Sequence, residues 1–323
     1  MSLSLSRLFR RSTVFIFLLV LVVFFSLTTN RFLVGQNLTN ILVQNSHVIL
    51  TAVGMTLVML SGGIDLSVGS VAALCGALSA GLVARNGLPA EIAIVLGLVA
   101  GFGLGLVNGG LVVYGKLPPF VATLSMLGVA RGLTLAYTNS RPISNLGDAY
   151  NFWGRGDVLG VPMPLIVWVT VVVLMTYLLS QTRFGLYVYA IGGSEETARL
   201  ASVPVNRVKM VTYGLSGTLA ALAGVLLTAR VYSAQPQAAV GLELQAITAA
   251  VLGGVSLFGG VGNIPTAVFG ALLVGVLGNG MNHLRVASYP QQIIQGVVLV
   301  LAVAIDMATQ RIGGHKSKRG SSS

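Results

Sequence analysis

Met55-Thr56-Leu57-Val58-Met59-Leu60-Ser61-Gly62-Gly63-Ile64-Asp65-Leu66-Ser67-Val68-Gly69-Ser70 is the stretch on which the reading of this chain turns. Its opening residues finish an apolar run that starts near position 41, and its closing residues begin another that continues to 84. Runs of about 20 apolar residues match the length a helix needs to cross a bilayer. Between the two runs stand paired glycines, two serines and an acid. An ionised carboxylate at the bilayer centre costs about 2.5–3.5 kcal/mol on insertion scales. Such a residue therefore faces protein, a partner or water. The broken helix also frees backbone N–H and C=O groups, which hydrocarbon cannot satisfy. Two roles for Asp65 fit this setting. It can cap the next helix and close a turn, or it can line a polar route; the two are compatible.

Working outward, further apolar runs predict spans at 13–29, 41–60, 68–84, 92–113, 119–138, 163–180, 209–229, 245–258, 264–281 and 291–308. Composition agrees. Of 323 residues 54% are hydrophobic and only 8% are charged, against about 25% charged in an ordinary soluble domain. The expectation is an all-α polytopic membrane protein of about ten transmembrane helices, forming one domain over 1–323. Arg7, Arg10 and Arg11 precede the first run, and Ser26-Leu27-Thr28-Thr29-Asn30 offers no small-residue cleavage site, so the first helix reads as uncleaved.

The net charge of +11 belongs to topology rather than to nucleic acid, because the basic residues flank apolar runs and form no stripe with interleaved aromatics. With the N-terminus inside, 12 of the 19 Lys and Arg residues fall on the cytoplasmic side. That bias predicts N-in and C-in. It puts 1–12, the loop 181–208 and the basic tail 309–323 in the cytoplasm.

Gly97, Gly101, Gly105 and Gly109 recur every four residues and form one stripe on a helix face, a groove for close helix packing. A second glycine-rich break, Leu252 to Asn263, is not a phosphate loop, since Asn263 and Ile264 stand where Lys and Ser/Thr would be needed. Gly76-Ala77-Leu78 with Gly81 recurs as Gly270-Ala271-Leu272 with Gly275, each downstream of a break, and paired broken segments point to a binding site in transporters. Ser61, Asp65 and Ser67 at the first break, and Gln235, Glu243 and Gln245 ahead of the second, are the candidate pathway residues. No catalytic set, metal cluster or cofactor motif is visible. The lone Cys75 lies in an apolar run.

In the segment Thr182 to Lys209, Gly192 and Gly193 are expected to loosen the chain. Ser194 is placed to cap a short helix, with Glu195 and Glu196 in its first turn where the helix dipole favours them. This helix should run through Ala201 and stop before Pro204. Ala198, Ala201 and Ser202 offer a small-residue surface suited to docking.

The quoted stretch closely resembles one shared by ribose-type sugar permeases of bacterial ATP-binding-cassette importers. So do Arg183-Phe184-Gly185 with Ala190-Ile191-Gly192-Gly193, Ser233-Ala234-Gln235-Pro236, and Ala249-Ala250-Val251-Leu252-Gly253-Gly254. The resemblance runs from about residue 40 to 307. It implies a bacterial inner-membrane permease that works as a dimer with a second copy or a paralogue. It also implies ATPase subunits below, where hydrolysis would take place, and a periplasmic sugar-binding protein above. The substrate implied is a ribose-like pentose. The family's coupling helix falls on 194–202, with Arg199 among its residues. This chain departs from the family in having Ser194 for the usual Asn and Ser202-Val203-Pro204 for the usual Gly-Ile. An ion-coupled secondary transporter is the rival reading; it would need intramembrane ionisable groups, for which the chain offers mainly Asp65 and Glu243.

The charge asymmetry is directly testable. With Cys75 replaced, Ser194→Cys should label only from the cytoplasm and Asn151→Cys only from outside intact cells. Labelling of position 194 from outside would overturn the orientation.

Overall fold

A computed structural model describes residues 2–319; Met1 and 320–323, the end of the basic tail, lie outside the described residues. Fourteen helices occur among the described residues. They are α1 (Ser2–Thr28), α2 (Gly35–Gln44), α3 (Ser46–Leu60), α4 (Val68–Ala84), α5 (Ala90–Val113), α6 (Pro119–Thr138) and α7 (Gly147–Arg155). After them come α8 (Met163–Gln181), α9 (Arg183–Gly193), α10 (Glu195–Leu200), α11 (Val205–Arg230), α12 (Leu242–Leu252), α13 (Ile264–His283) and α14 (Ser288–Arg319). A two-residue antiparallel pair, β1 (Asp157–Val158) with β2 (Val161–Pro162), follows α7.

The chain is an all-α polytopic membrane protein. Helices α5, α6, α8, α11 and α13 are each long and apolar enough to cross a membrane, and α2 with α3 makes a sixth segment bent by 44°. Large apolar side chains on the outer helices stand in the open, including Leu19, Val99, Val129, Val173 and Val300. An apolar surface this broad is what lipid, not water, favours.

The centre is α3. All of its residues except His47 are buried, which explains why it is apolar on every side. Helices α8, α11, α12 and α13 pack around it. The bend between α2 and α3 has a local cause. The Asn45 side chain donates to Ile41 O (3.0 Å), and the Ser46 hydroxyl donates to Val43 O (2.7 Å). Such back-bonds compete with the helix ladder and bend it.

The glycine stripe of α5 lies against two neighbours. A Cβ at Gly97 would fall 3.2 Å from Ser79 Cβ on α4. One at Gly101 would fall 2.5 Å from Gly217 O on α11, and one at Gly109 would fall 3.1 Å from Met210 Cα on the same helix. Gly217 in turn has the Gly101 carbonyl against it. Helices α5 and α11 therefore meet backbone to backbone.

Three sequence expectations need correction. The run 245–258 is not one span: α12 ends at Leu252, and 253–263 are irregular. Gly254, Gly259, Gly260 and Gly262 all have positive φ there, a backbone state that ends helices and favours glycine. The expected span 41–60 is two helices. Gly192 and Gly193 do not loosen the chain either, because α9 runs through both; a side chain at Gly192 would collide with the backbone of Leu60 and Gly260.

Candidate functional site

The break after α3 is built around Asp65. Helix α3 ends as Gly62 turns to φ +80° and the Ser61 hydroxyl donates back to Val58 O (2.8 Å). The chain then crosses to Ser67, the residue that precedes α4. Asp65 Oδ1 accepts from the Ser67 backbone N–H (3.0 Å) and from the Ser67 hydroxyl (2.6 Å). Asp65 Oδ2 accepts from the Ser216 hydroxyl on α11 (2.8 Å). Asn108 on α5 donates to Ser67 Oγ (2.8 Å). Tyr213 on α11 and Thr123 on α6 both reach the Ile64 carbonyl at 3.4 Å.

Asp65 is only 1% exposed, with Ser61 at 2% and Ser67 at 1%. A buried carboxylate is costly unless donors replace its water, and here three donors do so. This knot ties the break to α5, α6 and α11. In this conformation Asp65 and Ser67 are spent on holding the chain rather than facing an open passage.

Gln235, Glu243 and Gln245 lie in a separate region, the 231–241 connection and the start of α12. The exposed Gln235 donates to Ser233 Oγ (2.8 Å) and Gln245 to Gln295 Oε1 on α14 (3.5 Å). Arg131, inside α6, donates to the carbonyls of Pro236 (3.0 Å) and Ala238 (2.9 Å). It is also drawn electrostatically to Glu243. Glu243 lies against Gly69, near the start of α4, so this region touches the helix that the knot starts.

The second break is closed by similar means. Asn263 Oδ1 caps α13 by accepting from Thr266 N–H (3.0 Å), Ser256 N–H donates to Val261 O (2.8 Å), and Gly260 N–H donates across to Leu60 O (3.0 Å). The two breaks thus touch directly.

The polar segment after α9 forms its short helix α10. Ser194 Oγ accepts from Thr197 N–H (3.2 Å). Glu195 accepts from Arg199 (2.8 Å) and Lys209. Burial alone would raise the Glu195 carboxyl, but these two cations outweigh it and hold it below the ordinary range. Ala198 turns inward at 4% exposure, while Leu200 stands out at 82% beside exposed Glu196, Ala201 and Ser202. The surface α10 presents is therefore Leu200 and Ala201, not Ala198. At the opposite end of α8, an open cleft of about 730 Å³ is lined by Asn145, Asp148, Asn151 and Tyr232 among others.

Asn108, Ser216, Tyr213, Arg131 and Leu200 escape a reading of the sequence. Asn108 is the one with a signal, a lone amide between Gly105 and Gly109 on a packing face. The bonds to Asp65 carry a prediction. Asp65→Asn turns an NH2 group toward donors, so it should lower the thermal unfolding midpoint of the detergent-solubilised protein clearly. The scale is that of losing a hydrogen bond to a charged group, about 1.5–3 kcal/mol. The exposed Asp148→Asn should leave the midpoint unchanged. Equal midpoints for the two variants would contradict the knot.

The likeness to known proteins runs from α2 into α14. Residues 37–303 match the family model described as branched-chain amino acid transport system / permease component. The chain is 47% identical over 294 residues to the ribose import permease protein of Bacillus subtilis (strain 168), covering 90% of this chain and 91% of that protein. It is 46% identical over 300 residues to the ribose import permease protein of Escherichia coli (strain K12), covering 91% and 92%. The D-allose transport system permease protein of the same strain is 37% identical over 295 residues, covering 91% and 90%. A match that takes in both breaks, the knot and α10 leaves one assignment: this chain belongs to the family of branched-chain amino acid transport system permease components.

Proposed function

We propose that this chain is the membrane-spanning permease subunit of an ATP-binding-cassette importer for a monosaccharide, a ribose-like pentose. The observation that carries this is identity near one half to ribose import permeases of two bacteria, over nine-tenths of both partners. The chain itself is no enzyme. ATP hydrolysis takes place on separate subunits, and the permease supplies the route.

The proposed topology has ten membrane-embedded segments: α1, the bent α2–α3 pair, α4, α5, α6, α8, α11, α12, α13 and α14. Both termini lie in the cytoplasm of a bacterium whose inner membrane holds the protein. In that orientation both breaks and α10 share the cytoplasmic side, and the polar cleft by α7 faces the periplasm, where a sugar-binding protein would deliver substrate. A second copy or a paralogue completes the route. Within it, Gln235, Glu243 and Gln245 supply polar contacts, and Ser61, Asp65 and Ser67 hold the adjoining break.

Docking of the ATPase is assigned to α10 with its cap and the turn after it, Ser194 to Ser202. Exposed Leu200 is the anchor, since a large apolar side chain in the open is favoured when a partner buries it. Ala201 beside it is small enough for close approach.

The test is uptake of labelled ribose by proteoliposomes holding the permease, its ATPase and its binding protein. Uptake should require ATP inside the coupling compartment and be indifferent to a protonophore. Leu200→Asp should release the ATPase during purification and abolish uptake. Uptake driven by an ion gradient without ATP would support a secondary transporter and overturn the proposal.

A further inference from the structure

Gly192 and Gly193 are neighbours in sequence and opposites in surroundings. A Cβ at Gly193 would meet nothing within 4 Å. A Cβ at Gly192 would strike the Leu60 carbonyl oxygen and the Gly260 nitrogen, and would lie 3.0 Å from Gly260 Cα. Leu60 is the last residue of α3, where the first break begins. Gly260 belongs to the second break, and its N–H donates to that same Leu60 carbonyl at 3.0 Å.

The contact is broader than one atom pair. A Cβ at Gly259 would lie 2.8 Å from Gly192 O and 3.1 Å from Gly62 Cα. Three stretches of bare backbone, 60–62, 192–193 and 259–260, therefore meet at one junction. One turn earlier on α9, the Tyr189 hydroxyl donates to Gly262 O (2.9 Å). That bond gives α9 a second hold on the same break. Ser194 follows at once as the cap of α10, and the Glu195 ion pair with Lys209 ties α10 to the start of α11.

Such a junction has little give. Interiors are close-packed and transmit displacement rather than absorb it, and backbone atoms in contact cannot relax by changing rotamer. A shift of α10 is carried along α9 by two groups, the Gly192 backbone and the Tyr189 hydroxyl, and arrives at both breaks together. We propose that Gly192 and Tyr189 are positioning residues for transport, which pass movement of α10 to the two broken helices. This rests on the reading of α10 as the ATPase contact, and it adds where the movement goes after docking.

The experiment uses the complete transporter in proteoliposomes and measures sugar taken up per ATP hydrolysed, together with the amount of ATPase that co-purifies. Gly192→Ala should retain the ATPase and hydrolyse ATP, while uptake per ATP falls about tenfold or more, because overpacked backbone must separate to admit the methyl group. Gly193→Ala, with open space around it, should match wild type in every measure. Tyr189→Phe removes only the hydroxyl and keeps the ring, so the fold survives; it should lower uptake per ATP with ATPase binding intact. Should Gly192→Ala prove too unstable to purify, Tyr189→Phe alone decides. Wild-type uptake per ATP in Tyr189→Phe overturns the proposal, as does an equal loss in Gly193→Ala. Failure of the docking reading is separate: it would show as ATPase retained by Leu200→Asp, whatever the variants at 189 and 192 do.

Discussion

Three hydrogen bonds to the carboxylate of Asp65 hold the point at which the chain abandons helix inside an apolar bundle. Breaking α3 from α4 strands backbone polar groups where lipid offers them nothing. Asp65 supplies part of the answer: Ser67 meets it with both its N–H and its hydroxyl, and Ser216 meets it from α11. The Ser216 donor comes from a helix that must be in place for the break to close in this way. Asn108 can reach Ser67 only because α5 lies hard against its neighbours. The knot is thus both the result of helix packing and the device that sets the packing's register.

Glycine makes that packing possible. The α5 stripe and the α11 glycines let two backbones touch, with the Gly101 and Gly217 positions admitting no side chain. In lipid such contacts stand in for the hydrophobic drive available in water, since lipid tails are as apolar as the helices they surround. The same device recurs at Gly192, Leu60 and Gly260. There it joins the end of α9 to both breaks. One chemical economy serves structure and, on the present reading, transmission of movement from a partner subunit.

Much of this was legible in the residues. The apolar runs mark helices because their lengths and the scarcity of charge leave no soluble alternative. The Ser194 cap can be read because a hydroxyl three residues before a free N–H is a local arrangement. What could not be read is what depends on non-local approach. Nothing in the order of residues says that Ser216 will meet Asp65, 151 positions away, or that Ala198 will turn inward while Leu200 turns out. The run 245–258 misled because it is apolar on both sides of Gly253 and Gly254, while the helix ends at Leu252 and Gly254 turns to positive φ. Gly192 misled in the opposite sense: glycine suggests freedom, and here it marks an approach so close that nothing else fits.

The knot connects the parts of this account. It starts α4, whose Gly69 lies against Glu243, and it fixes the break whose other end touches Gly260 and Gly192. The most direct measurement is a double-mutant cycle across it, using Asp65→Asn, Ser216→Ala and the pair. Unfolding free energies are measured in one detergent at one pH. The account predicts non-additivity of about 0.5–3 kcal/mol, the range for residues in direct contact, with the double variant less damaged than the sum of the singles. Strict additivity would mean that the two side chains do not act on one another, and would contradict the knot as the feature that holds the break.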